Sequence, residues 1–197
     1  MTFAELTLKA RLERIDLGAR GFYKTPGVDF NRETGRGNPF SYFTQGAAVV
    51  EVKIDRFTGE LTVPRVDLLM DIGRSINPGV DMGQITGGFI QGMGWVTAEC
   101  LVYDAKGKLL SHSPTTYKIP AITDVPKIFR CEMFPNDDNL HCIRRSKAVG
   151  EPPLLLGVSV WAAVKNALSF LTGDPKFKLP ATGEEILRCL TEATKSS

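Results

Sequence analysis

Between residues 50 and 55 the chain alternates: Val50, Val52 and Ile54 fall on one side, Glu51, Lys53 and Asp55 on the other. A period of two predicts a half-buried strand, here over residues 46–57. Thr58-Gly59 is a turn pair, and residues 61–72 read as a second strand, so the two form an antiparallel hairpin. Pro64 in the second strand predicts an edge position or a bulge, because proline has no N–H for the ladder. Alternation returns over residues 128–134, where Phe129, Cys131 and Met133 oppose Arg130 and Glu132. The rhythm elsewhere is helical. Ala4, Leu8, Leu12 and Ile15 predict a short amphipathic helix over residues 2–15, with Thr2 as its cap. A long apolar helix is expected over residues 153–171, where Ala162, Ala163 and Ala167 permit close packing and Gly173-Asp174-Pro175 ends the run. A last short helix follows over 183–191, then a frayed tail at Lys195-Ser196-Ser197. Together these elements predict the α+β class: an antiparallel sheet with the long helices packed on it.

Three stretches break the pattern. Residues 18–43 carry Pro26, Gly27, Gly35, Gly37, Asn38 and Pro39 and end on Phe40, Tyr42 and Phe43. They read as an irregular arm, its aromatics either core or contact surface. Residues 1–45 thus form a leading helix and arm, and 46–197 an α+β body. Residues 80–103 read as a helix despite Gly83, Gly87, Gly88, Gly92 and Gly94. Each glycine costs about 1 kcal/mol against alanine in a helix, so another backbone or a ligand is expected to approach closely. Gln84 and Gln91 lie about two turns apart on one face and either bind a polar ligand or face solvent. The third stretch is Lys147-Ala148-Val149-Gly150-Glu151-Pro152-Pro153. Pro152 biases Glu151 away from the α region, which places its carboxylate on a stiffened loop before an apolar helix. Two readings follow: a general base with a raised pKa, or a charge that complements the helix dipole.

Composition narrows the classes. The chain has 197 residues, 43% hydrophobic and 23% charged, with a formal net charge of +2 and the signs mixed. No clustered basic face suggests nucleic acid. No apolar run is expected to be long and clean enough to span a membrane, and the start lacks the pattern of a secretory signal. Cys100, Cys131, Cys142 and Cys189 are widely spaced, and His112 and His141 form no ligand pair. A protein-ligated metal site is therefore not expected. The thiols are expected to be buried and reduced, in a cytoplasmic setting.

Several segments then coincide with a known family. Gly21-Phe22-Tyr23, Gly37-Asn38-Pro39-Phe40, Asp71-Ile72-Gly73 with Asn77-Pro78, Gly83-Gln84 with Gly87 and Gln91-Gly92-Met93-Gly94, Thr116-Tyr117-Lys118-Ile119-Pro120, and the run from Ser146 to Pro153 occur in this order. The chain resembles the C-terminal part of the molybdenum-binding subunit of xanthine dehydrogenases, a family that includes aldehyde oxidases. The resemblance covers nearly the whole chain. It implies a C-terminal portion of a molybdopterin-binding domain, with the molybdenum held by the pterin and by no protein ligand. It implies that Glu151 is the general base, that Gln84 hydrogen-bonds the cofactor, and that the Val149–Gly150 backbone runs beside it. The implied reaction is oxidation of hypoxanthine or xanthine, in purine catabolism: Mo–OH attacks the substrate carbon with help from the base, and hydride passes to Mo=S. An aldehyde oxidase-type part and a non-catalytic assembly module are the alternatives. The family's subunit is several times longer, and its substrate-clamping residues lie upstream of what is present here. Alone, the chain is expected to be inactive, as a shortened chain or a split gene product. Its expected partners are the upstream part of the subunit, the FAD and 2Fe-2S domains or subunits, and a purine or aldehyde substrate. Self-association through the exposed surface is a further expectation.

Overall fold

Thr2 caps the first helix, α1 (Phe3–Leu12), in a computed structural model that describes residues 1–195. The Glu5 N–H donates to the Thr2 hydroxyl at 3.3 Å and the Thr2 N–H donates to the Glu5 carboxylate at 2.7 Å, a reciprocal capping box. The arm expected to be irregular contains a small antiparallel hairpin, β1 (Asp29–Asn31) with β2 (Arg36–Asn38). Its turn is made by Asn31, whose side-chain oxygen accepts from the N–H groups of Glu33 and Thr34 at 2.9 and 3.0 Å. Strands of three residues are too short for a periodicity to register. These elements lie in one compact unit, Met1–Ser41, in which no residue is buried. Leu8 and Leu12 are 58% and 74% exposed. Phe40 at the unit's end is also exposed and is not core.

The second unit, Tyr42–Ser197, holds the core. Ser196 and Ser197, expected in the frayed tail, lie outside the described residues. The hairpin forms as β3 (Gln45–Ile54) and β4 (Leu61–Asp71), paired antiparallel from Gln45↔Asp71 to Ile54↔Leu61. Its register shifts between Glu51↔Arg65 and Lys53↔Thr62, which sets Val63 and Pro64 together opposite Val52. Of the two positions that Pro64 allowed, the bulge is realised. The edge is not, because β5 (Ile128–Met133) pairs the other side of β4. That pair is parallel, so the α+β class holds but the sheet is mixed rather than antiparallel throughout. A parallel return needs a long crossover, and the 56 residues between β4 and β5 supply it.

The crossover begins with α2 (Pro78–Thr97), capped by Asn77, whose side chain accepts from the Val80 N–H at 3.3 Å. It stops at Thr97 and not at residue 103, where the N–H groups of Ala98 and Glu99 both turn onto the Gly94 carbonyl. The apolar stretch that follows Glu151 is two helices, α3 (Pro152–Leu156) and α4 (Val158–Thr172), meeting at Gly157. The chain ends in α5 (Gly183–Lys195). Val66, Leu68, Met70 and Ile72 from the β4 segment pack with Ile85, Phe89, Met93 and Val96 of α2 and with Val160. Full burial is worth roughly 1.5–3 kcal/mol for each large side chain here. A second cluster joins Val164 and Leu168 of α4 to Ile186, Cys189 and Leu190 of α5.

Two expectations need correction. Pro152–Leu171, 20 residues, is long and apolar enough to cross a membrane. Its Val160, Val164 and Leu168 are buried in the two clusters, whereas Leu155, Phe170 and Leu171 are exposed. The four cysteines are unpaired, yet only Cys189 is buried, and Cys100 is exposed.

Candidate functional site

The loop that ends at Glu151 is tied to the end of β4. Residues 145–147 run beside 72–74: the Lys147 N–H donates to the Ile72 carbonyl at 2.7 Å and the Arg74 N–H to the Arg145 carbonyl at 3.1 Å. Gly73 has φ +64°, and a Cβ there would lie 2.4 Å from the Arg145 carbonyl oxygen, so both conformation and contact require glycine. The Lys147 ammonium meets the Asp71 carboxylate at 2.5 Å, with the two side chains 10% and 12% exposed. Asp71 also accepts from the Gly73 N–H at 2.9 Å and the Asn136 amide at 2.8 Å. Burial alone would push the Asp71 carboxyl up; Lys147, Gly73 and Asn136 together outweigh it and hold the carboxyl below its ordinary value. One residue on, the Ala148 N–H donates to the Tyr42 hydroxyl at 3.0 Å and the Thr44 hydroxyl donates to the Ala148 carbonyl at 3.3 Å. Val149 then packs against the core.

Glu151 follows as the residue before α3, with φ −98° and ψ −39°. The expectation that Pro152 drives it out of the α region is not met. Its carbonyl accepts from the Leu154 N–H at 3.1 Å, and that first helical turn holds its backbone against the steric bias. Its carboxylate is exposed and makes no capping hydrogen bond, so it does not serve α3 as a side-chain cap.

Opposite the loop stands α2, whose glycines divide by what they meet. A Cβ on Gly92 would lie 2.1 Å from the Leu154 carbonyl oxygen, and one on Gly88 3.0 Å from the Pro153 Cβ. A Cβ on Gly157 would lie 2.4 Å from the carbonyl carbon of Gly92. Here the close approach is backbone on backbone, at the residue where α3 and α4 meet. Gly83 and Gly87 differ: a Cβ on either meets nothing within 4 Å. Gln84 stands between them, exposed, and its Oε1 is 3.8 Å from where a Cβ of Gly150 would sit. The fold therefore brings Gln84 against Gly150, and the exposed Glu151 is the next residue in the chain. Gln91 is exposed two turns further along α2, and Val149 turns its side chain inward. The clamp of Asp71, Lys147, Asn136 and Tyr42 was not anticipated; Asp71 and Lys147 are 76 residues apart, and no local pattern couples them.

The family model described as the molybdopterin cofactor-binding domain matches residues 1–126. The chain belongs to this family. It is 46% identical over 208 residues to a xanthine dehydrogenase of Oryza sativa subsp. japonica, a match covering 98% of this chain and 15% of that protein. Among solved structures, the CO dehydrogenase from Oligotropha carboxidovorans superposes with a TM-score of 0.70 at 25% identity, over 78% of this chain and 19% of that one. The aldehyde oxidoreductase from Desulfovibrio gigas superposes with a TM-score of 0.66 at 31% identity, over 80% of this chain and 16% of that one. The chain thus spans about 15% of the length of the curated relative. The open face of α2 at Gly83, Gln84 and Gly87 fits a molybdopterin cofactor in kind. An exposed carboxamide offers both donor and acceptor to an organic ligand, and the Gly83 and Gly87 positions leave the helix backbone uncovered. Among the described residues no group of three His, Cys, Asp or Glu could hold a bare metal ion.

Proposed function

We propose that this chain forms the C-terminal part of the molybdopterin-binding domain of a xanthine dehydrogenase-type enzyme, in which Glu151 is the general base. In this reading the Gln84 amide and the backbone at Val149–Gly150 hold the cofactor. When bound, the molybdenum cofactor supplies the two-electron redox chemistry and the oxygen that ends on the substrate. The chain's own residues orient that group and manage a proton. A Glu151 carboxylate oxygen accepts the proton and holds it as the substrate carbon is oxidised. The clamp that fixes residues 145–148 sets where that oxygen stands. The observation that carries the reading is the meeting of Gln84 with Gly150, 3.8 Å from the amide oxygen to the glycine's Cβ position, beside Glu151 and the open Gly83 and Gly87.

A purine is the favoured substrate class, supported by 46% identity to a xanthine dehydrogenase. An aldehyde substrate is the second reading, supported by 31% identity to an aldehyde oxidoreductase. The rest of the molybdenum subunit completes the pocket, and FAD and 2Fe-2S domains take the electrons onward. The role in purine catabolism and the cytoplasmic setting belong to the same reading and rest on sequence alone. A non-catalytic module is disfavoured because Glu151 and Gln84 are both retained.

The test is Glu151→Gln in the complete enzyme. Turnover of xanthine is expected to fall by at least about a hundredfold, the scale of a lost general base, with molybdenum content unchanged. Loss of molybdenum together with activity would give Glu151 a structural role instead. Comparing xanthine with an aromatic aldehyde on the unaltered enzyme separates the two substrate readings.

A further inference from the structure

The loop leading to Glu151 contains two consecutive arginines that the proposed function leaves unused. Arg144 and Arg145 lie in the left-handed region, with φ 53° and 63°. Together with Arg74 and Ser75 they line a pocket of about 320 Å³. Three of these four side chains are guanidinium groups and none is a carboxylate. The walls are joined by the hydrogen bond from the Arg74 N–H to the Arg145 carbonyl, 3.1 Å. The Arg145 guanidinium is oriented by a 3.2 Å bond to the Asp137 carbonyl oxygen.

Three acids, Asp71, Asp81 and Asp137, lie near this group. No ion pair among the described residues includes Arg74, Arg144 or Arg145. Asp71 is paired with Lys147. The Asp81 carboxylate, buried, accepts from the Ser75 hydroxyl at 2.5 Å and from the Asn77 N–H at 3.4 Å. Asp137 lines an adjoining groove and not the pocket itself. Three cations around one concavity repel one another, and an anion seated among them reverses the sign of that interaction. Guanidinium forks match phosphoryl oxygens in pairs. A carboxylate has two oxygens, fewer than three forks can use; a phosphoryl group has at least three.

We propose that the pocket between Arg74, Arg144 and Arg145 binds a phosphoryl anion. The adjoining groove, about 420 Å³, shares Arg74 and Ser75 and continues along Met133, Phe134 and Pro135. It has room for the organic part of a phosphate ester. Free phosphate and a phosphate ester use the same arginines and differ only in that groove.

Isothermal titration calorimetry on the full-length protein tests this, with inorganic phosphate and adenosine 5′-monophosphate as probes against chloride at equal ionic strength. The expected result is saturable binding that weakens at least about tenfold in Arg144→Gln and in Arg74→Gln, as charge-assisted bonds to the anion are lost. Equal affinity for the two probes identifies free phosphate as the ligand. Tighter binding of the nucleotide identifies an ester whose organic part uses the groove. Arg144→Gly relieves the left-handed backbone while removing the guanidinium, so it separates a binding defect from a folding defect. Absence of saturable binding for both probes overturns the proposal, as does binding that survives unchanged in all three variants.

Discussion

At the scale of single residues, the glycines of α2 make opposed predictions. Gly92 faces the Leu154 carbonyl, where a Cβ would have only 2.1 Å, and the obstacle is backbone. Gly92→Ala must push α3 away from α2, and overpacking of this kind costs about 1–3 kcal/mol. Gly87 lies about one and a half turns nearer the start of the same helix, on a different face, and a Cβ there meets nothing within 4 Å. Gly87→Ala should therefore stabilise the folded chain by roughly 0.5–1 kcal/mol, the helix-propensity gain. Thermal denaturation of the two variants should move the midpoint in opposite directions. If the open face holds the cofactor as proposed, Gly87→Ala should also lower the molybdenum content of the complete enzyme, although the protein itself is more stable. Unchanged cofactor content with a raised midpoint would place the cofactor elsewhere on the helix.

At the scale of elements, the Asp71–Lys147 pair joins the end of β4 to the loop that carries Glu151. The Asp71 carboxyl is depressed below its unfolded value of about 3.9, so its contribution is present above that pH. As pH falls through the folded pKa the carboxylate takes a proton and the contribution is lost. Urea unfolding at pH 6 and pH 3 should show unaltered protein losing more stability on acidification than Asp71→Asn, which has no such proton to take. Equal losses would mean that other carboxylates carry the acid sensitivity. Lys147→Met leaves Asp71 charged and poorly compensated, at a cost of roughly 3–5 kcal/mol for a pair this buried, read from the same urea unfolding at pH 6.

The same elements show how much the sequence could reveal. The alternation at 50–55 and 128–134 located β3 and β5, and the Thr58-Gly59 turn pair located β4 beside β3. The glycine density of α2 implied close approach of a backbone or a ligand, and at Gly92 it is a backbone. All of these are properties of neighbouring residues. The roles proposed for Gln84 and Glu151 rest on motif resemblance, since an exposed amide and an exposed carboxylate look locally like any others. The parallel β4–β5 pair, the break at Gly157 and the Asp71–Lys147 pair were not legible. Each depends on which distant segments meet, and that is decided by tertiary packing.

At the scale of the molecule, the chain divides into a unit with a buried core and a unit without one. In Met1–Ser41 no side chain is buried, and Phe3, Leu8, Leu12, Phe22 and Phe30 are all exposed. A capped helix of ten residues and a hairpin with strands of three residues cannot hold themselves together in water by local bonds alone. For the chain by itself, amide hydrogens of residues 3–12 should exchange nearly as fast as in a free peptide. Those of β4, which contributes Val66, Leu68 and Met70 to the core, should exchange only on global opening. Light scattering should show self-association that grows with concentration, because exposed apolar side chains otherwise stay wet. Slow exchange in α1 of a dilute monomer would mean that the first unit is covered within the chain itself. Fast exchange that slows as the oligomer forms would instead identify the unit's apolar face as the surface through which copies associate.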